Sequence, residues 1–147
     1  MLIGTILSLD KTKITTMTGD QTMHPLLISL ANMKASYYPK SSHHTFLLFA
    51  LLSVPKFITC DKPLHNMLEN HLIYECLDFI LKPLKKAVYS GVMMSNPHGS
   101  LRYCFTPLVG YIINTPEAAM LAGVGRKTLP VTMVAHKQFG DSFKYEL

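Results

Sequence analysis

The chain has 147 residues, of which 48% are hydrophobic and 16% charged, and its formal net charge at pH 7 is +5. This composition argues against intrinsic disorder, and the length predicts one domain with a buried core. The three cysteines form no C-x-x-C pair, which argues against a cysteine zinc site and a disulfide framework. The most apolar run, residues 46–52, is far shorter than the roughly 20 residues that a membrane span needs. Because the N-terminus also lacks the basic segment of a signal peptide, we expect an intracellular protein that does not contact membranes.

Three apolar segments in the first third of the chain are predicted to be strands. They are residues 2–9, 25–31 and 46–54. Asp10 follows the first strand directly, and Pro55 stops the third. The segments between them, residues 15–23 and 32–42, are polar and carry turn-forming residues, so we predict loops there. Three strands in sequence are most simply antiparallel.

A long helix is predicted over residues 64–87, where apolar side chains recur every three or four positions. Asp61 can cap its start, and Pro63 suits its first turn. Pro83 is expected to kink the helix or nearly end it, because proline removes a backbone donor and clashes with the preceding turn.

The segment after the long helix is predicted to form a small hairpin, a fourth sheet strand and a short helix. The hairpin strands are residues 91–94 and 101–104, the fourth strand is residues 108–113, and the short helix covers residues 118–121. A strand reached through a helix is most simply parallel to an earlier strand. We therefore predict an α/β fold with a mixed sheet over residues 1–124, followed by a loosely ordered tail over residues 125–147. This element order is that of a partial ribonuclease-H-like fold.

Short motifs in this order resemble those of a known family. Ser8-Leu9-Asp10-Lys11-Thr12, with a following strand that starts at His24-Pro25, resembles the opening of Plavaka-type transposases, of the Kyakuja–Dileera–Zisupton group of fungal DNA transposons. Further matches follow at Leu81-Lys82-Pro83-Leu84, Gly91-Val92, Gly99-x-x-Arg102, Phe105-x-Pro107 and Thr115-Pro116-Glu117. The ordered set carries the resemblance, which implies a nuclear protein with a ribonuclease-H-like catalytic domain of the DD(E/D) type. It also implies a fragment that stops before the third acidic residue.

The resemblance implies a metal-ligand role for Asp10 and places a second acidic position at residue 114, on a neighbouring parallel strand. Strand cleavage and transfer need divalent cations, Mg²⁺ or Mn²⁺, held by carboxylates. The chain has Asn114 at the second position, and an amide is a poor ligand for Mg²⁺. Glu117 lies one turn further on, where stabilisation of a helix N-terminus is the preferred interpretation, and Asp10 could instead be a turn residue. We therefore expect weak or absent metal binding and a degenerate remnant that is inactive on its own.

Basic side chains are candidates for contacts with DNA phosphates, although an ordinary solvated surface is the favoured explanation for any single one. They are Lys11, Lys82, Lys85, Lys86, Arg102, Arg126 and Lys127. The zinc knuckle of typical family members is missing at residues 128–132, so no zinc is expected. The expected partners are DNA, bound weakly and without sequence preference, or a full-length transposase, and no small-molecule substrate is implied. A non-enzymatic DNA- or protein-binding module and a domain without a selected function remain the alternatives.

Overall fold

The structure is a computed structural model that describes residues 1–13, 15, 22–55, 58, 62–125 and 128–130. It divides into two compact units, Met1–Ile112 and Ile113–Leu147. Most of the predicted tail, including residues 131–147, lies outside the described residues. No helix in the described part of the chain is both long enough and apolar enough to cross a membrane.

The predicted mixed α/β class is confirmed. The strands are β1 (Thr5–Leu9), β2 (Thr12–Lys13), β3 (Thr22–Leu30), β4 (Leu47–Leu52), β5 (Val92–Ser95), β6 (Leu101–Cys104) and β7 (Leu108–Ile113). The helices are α1 (Lys62–Ser90) and α2 (Thr115–Leu121), and two 3-10 turns, Ala35–Tyr37 and Ser41–His43, lie within the predicted second loop and just beyond it.

The five-stranded sheet is built around β3. β1 and β4 each pair with β3 in antiparallel orientation, which confirms the predicted arrangement of the first three long strands. β7 lies on the far side of β1, so the order of the long strands is β4, β3, β1, β7. The short strand β2 was not expected. It continues the register of β1 along β3, with Leu9 opposite Leu26 and Thr12 opposite Met23.

The segment that contains β7 runs parallel to β1, as predicted from the intervening helix. The backbone N–H of Ile3 donates to the carbonyl of Phe105 at 2.9 Å, and that of Thr5 donates to Pro107 at 2.8 Å. The two segments come unusually close at Gly4, where an added Cβ would lie 2.6 Å from Cγ2 of Val109. Glycine therefore suits this position, because a Cβ would require the Val109 side chain to shift.

The core of the first unit lies between the sheet and α1. Leu7, Leu9 and Leu26 are almost completely buried on the sheet, and Ile73 and Leu77 are buried on α1. Full burial of such a side chain contributes about 1.5–3 kcal/mol relative to exposure, so these contacts hold the helix on the sheet. Cys104 is also buried, Cys76 is partly buried, and both are free thiols. Cys60 lies outside the described residues.

Helix α1 is longer than predicted and continues for seven residues beyond Pro83, to Ser90. The expectation that Pro83 nearly ends it is wrong. Pro83 and Phe79 are both exposed, so water can bind the Phe79 carbonyl that the proline cannot serve. Ala87 is buried beyond the proline, and its packing favours the continued helix. The proposed cap residue Asp61 lies outside the described residues.

The predicted hairpin forms a separate two-stranded sheet of β5 and β6. Its turn is closed by Asn96, whose side-chain oxygen accepts hydrogen bonds from the backbone N–H groups of His98 at 3.1 Å and Ser100 at 2.8 Å. Gly99 has a φ of 80°, a left-handed conformation that suits glycine. The side-chain hydroxyl of Tyr103 donates to the carbonyl of Ser90 and so joins the hairpin to the end of α1.

Candidate functional site

Asp10 is the residue directly after β1, and its side chain is exposed. The register of β1 with β3 brings Asp10 opposite Pro25, which has no N–H to donate to the ladder. Pairing is interrupted at Asp10 and Lys11 and resumes at Thr12. The hydroxyl of Thr12 donates to the Asp10 carbonyl at 3.4 Å. Asp10 thus presents a solvent-accessible carboxylate at the carboxyl end of a buried strand.

Lys11, a predicted DNA contact, forms an ion pair with Glu69 of α1, with Nζ 2.6 Å from Oε1. Glu69 precedes Ile73 and Leu77 by one and two turns on the side of α1 that faces the sheet. Both charged side chains are about one third to two fifths exposed, so the pair contributes only about 0.2–1 kcal/mol. Its consequence is positional, because it ties the first half of α1 to the residue beside Asp10. Glu69 lies four residues before Ile73, a spacing that places both on one side of the helix, but the sequence carries no signal for its partner.

In the second unit, Asn114 is the N-terminal capping residue of α2. Its backbone is extended, and its side-chain oxygen accepts a hydrogen bond from the backbone N–H of Glu117 at 3.0 Å. Pro116 lies in the first turn, where a missing N–H costs nothing. Glu117 is 9% exposed and also lies in the first turn, as expected for a carboxylate near a helix N-terminus. The amide oxygen of Asn114 is therefore already engaged in holding the start of the helix.

Neither candidate position, Asp10 in the first unit or Asn114 in the second, supplies by itself the carboxylates that a centre of two divalent cations needs. Mg²⁺ prefers carboxylate oxygens in octahedral geometry, and two-metal sites bind both ions between shared acidic ligands. Asp10 brings one carboxylate, and Asn114 brings a neutral amide that already accepts a hydrogen bond. The described part of the chain contains no cluster of three or more His, Cys, Asp and Glu side chains that could hold a metal ion.

The remaining basic candidates differ in their surroundings. Lys82, Lys85 and Lys86 are exposed on α1, and Arg102 is exposed on β6. Lys85 is bound to the carboxylate of Asp78. That hydrogen bond, followed by the charges of Lys85 and Lys82, holds the pKa of Asp78 below its usual range. Arg126 and Lys127 lie outside the described residues.

Comparison with known protein families identifies a match over the full length of the sequence. The family model described as Plavaka transposase matches residues 1–147, the whole of the sequence. No curated protein and no solved structure matches the chain.

Proposed function

The chain belongs to the Plavaka transposase family, and we propose that it is a transposase-related domain that acts on DNA in the nucleus. Asp10 is the ligand position inherited from the family's catalytic centre, and Asn114 is the degenerate second acidic position. The family's cations activate the attacking oxygen and stabilise the leaving oxygen during strand cleavage. Among the described residues the donors for those ions are incomplete, and we propose that the domain does not cleave DNA.

The observation that carries the proposal is the strand arrangement around Asp10. β1 lies between an antiparallel strand, β3, and a parallel strand, β7, and Asp10 comes immediately after β1. Three antiparallel strands followed by a helix and a strand parallel to the first are the elements of a ribonuclease-H-like fold, which we propose for this domain. In that fold a carboxylate at the end of the first strand serves the metal centre.

The loss of cleavage is argued from the chemistry of residue 114. An amide carries no charge to offset a divalent cation beside a phosphate, and the Asn114 oxygen caps α2. Glu69 of α1 forms an ion pair with Lys11, the residue next to Asp10. Its carboxylate is therefore already paired with a positive charge. Each of these contacts directs a polar group toward maintaining the fold.

A non-catalytic DNA-binding module is the second candidate. The observation that favours it is the set of exposed lysines on α1, because Lys82 and Lys86 form no ion pair with any other described residue. Binding through lysines gives affinity for phosphates without sequence preference and needs no metal.

Asn114→Asp tests the proposal. We expect the natural chain not to nick supercoiled plasmid in Mg²⁺ or Mn²⁺, and we expect Asn114→Asp to increase the affinity for Mn²⁺ in calorimetry. The gain should vanish when Asp10→Ala is added. Aspartate and asparagine are nearly equal as capping residues, so the fold should be retained.

Asn114→Ala is the matched control for the cap. It removes the hydrogen bond to Glu117 and should cost about 1 kcal/mol of helix stability without any gain in metal affinity. Robust nicking by the natural chain that Asp10→Ala abolishes would overturn the proposed inactivity. An Asn114→Asp variant with unchanged Mn²⁺ affinity would overturn the assignment of residue 114.

A further inference from the structure

The outer side of α1 carries two aromatic side chains that the fold does not use. Phe79 is 79% exposed and Tyr89 is 86% exposed, although aromatic side chains ordinarily bury most of their area in a core. Lys82 and Lys86 are exposed between them along the helix. We call these four residues, Phe79, Lys82, Lys86 and Tyr89, the aromatic–lysine ridge.

Helical spacing places the four ridge residues on one side of α1. They are separated by three, four and three positions, which are the separations of neighbours on a helix surface. From Phe79 to Tyr89 the helix rises about 15 Å, and from Lys82 to Lys86 it rises about 6 Å. Leu77 and Ala87 are buried on the same stretch of helix, so the ridge is carried by an element that is anchored to the core.

The charge of this segment is positive. Between Phe79 and Tyr89 every charged residue is a lysine. Lys85 forms an ion pair with Asp78, and the charge of Lys82 also acts on that carboxylate, but Lys82 and Lys86 form no ion pair within the described residues. Glu75 lies one turn before Phe79 and is the next acidic residue before Asp78 along the helix. Lys82 and Lys86 are therefore exposed and accessible to an anionic partner.

We propose that the aromatic–lysine ridge binds single-stranded DNA, with unpaired bases stacked on Phe79 and Tyr89 and phosphates in contact with Lys82 and Lys86. Exposed aromatic side chains alternating with cations are the combination that holds single strands, because every base has a flat face to stack and every nucleotide has a phosphate. A duplex keeps its base faces stacked inside, so the aromatic side chains select for unpaired strands. The inference depends on the proposed function in one respect, which is the choice of DNA as the nucleic acid.

The test for the aromatic side chains is fluorescence anisotropy of a labelled twelve-nucleotide oligothymidine and of a duplex of the same length, in EDTA. Phe79→Leu and Tyr89→Leu keep an apolar side chain that suits a helix but remove the ring. Each should weaken single-strand binding by about fivefold or more and leave duplex binding within twofold. Tyr74→Leu, on the same helix outside the ridge, is the matched control and should change neither.

The test for the lysines is the salt dependence of the same binding. Each phosphate contact to a single strand contributes about 0.7 to the slope of log affinity against log salt concentration. Lys82→Gln and Lys86→Gln should each reduce the slope by about that amount. The double change Asp78→Asn and Lys85→Gln removes a compensated pair and should leave the slope unchanged.

Unchanged single-strand binding in the Phe79→Leu/Tyr89→Leu double variant would overturn the inference. Self-association of the natural chain that the same variant abolishes would also overturn it, because the ridge would then be a contact between copies. The assay contains no divalent metal and does not involve Asp10 or Asn114. If the ring substitutions leave single-strand binding unchanged while Asn114→Asp gains metal affinity, only the ridge proposal is overturned. If the natural chain binds neither the single strand nor the duplex, DNA as the partner is overturned as well.

Discussion

Pro83→Ala should make the protein more stable, which is the opposite of the usual effect of changing a residue in a helix that packs on the core. Pro83 lies well inside α1, with the helix continuing to Ser90. Proline there leaves the carbonyl of Phe79 without its helical donor and strains the preceding turn. Because Pro83 is exposed, alanine removes no buried contact.

The expected gain follows from two opposing terms. Alanine is favoured over proline in a helix interior by about 3 kcal/mol. Proline restricts the unfolded chain, which returns about 0.4–1 kcal/mol to the natural protein. The net gain is about 2 kcal/mol in the free energy of unfolding, which corresponds to a rise in Tm of about 4–8 °C for a chain of this size.

Thermal and urea unfolding followed by circular dichroism at 222 nm would measure this gain, since α1 supplies most of the helical signal. Pro63→Ala is the matched control, because Pro63 lies in the first turn of the same helix, where its missing N–H has no partner to lose. We expect no gain from it. An unchanged or lowered Tm for Pro83→Ala would refute the reasoning and would show that the continued helix depends on the proline.

Two further predictions concern the sheet and the surface of α1. Gly4→Ala should destabilise the protein by about 1–3 kcal/mol in urea unfolding, because the new Cβ would lie 2.6 Å from Cγ2 of Val109. Adding Val109→Ala should recover part of this loss. Full stability of the Gly4→Ala variant would contradict the close approach. Lys85→Gln should raise the pKa of the Asp78 carboxyl toward its ordinary value, because the Lys85 hydrogen bond is the main cause of the lowering. In the natural chain this pair contributes to folding stability above the ordinary carboxyl pKa, and the contribution is lost as the pH falls through the lowered pKa of Asp78. An NMR titration that finds the same Asp78 pKa in both proteins would contradict the assignment.

The parts of the fold that were predictable are those with strong local boundaries. β7 was predicted to the residue, because its six-residue segment lies between Pro107, which has no N–H to donate, and Asn114, which caps the next helix. The helix predicted over residues 64–87 falls short of α1 by two residues at its start and three at its end, and α1 continues through Pro83 to Ser90 while Ala87 packs in the core. β2 was missed because two residues carry no periodicity and are defined only by their partners in β3.

The candidate site shows the same division. The position of Asp10 at a strand end could be predicted, because apolar character stops at Leu9. The short helix was predicted over residues 118–121, whereas α2 begins at Thr115, directly after its capping residue Asn114. The ion pair between Lys11 and Glu69 joins residues 58 positions apart, and local pattern does not reveal such a pair. For the same reason, the sequence does not show which of the α1 lysines binds Asp78.

Residue 114 separates the requirements of the fold from those of the chemistry. For the start of α2, asparagine and aspartate are almost equivalent, because either side-chain oxygen can accept the N–H of Glu117. For a divalent cation they differ by a full negative charge. Under the proposed assignment of residue 114, a change from carboxylate to amide would remove strand cleavage while the strand, the turn and the helix persist. The proposed single-strand binding through α1 uses neither Asp10 nor Asn114, so we expect binding and any metal-dependent cleavage to respond to different substitutions.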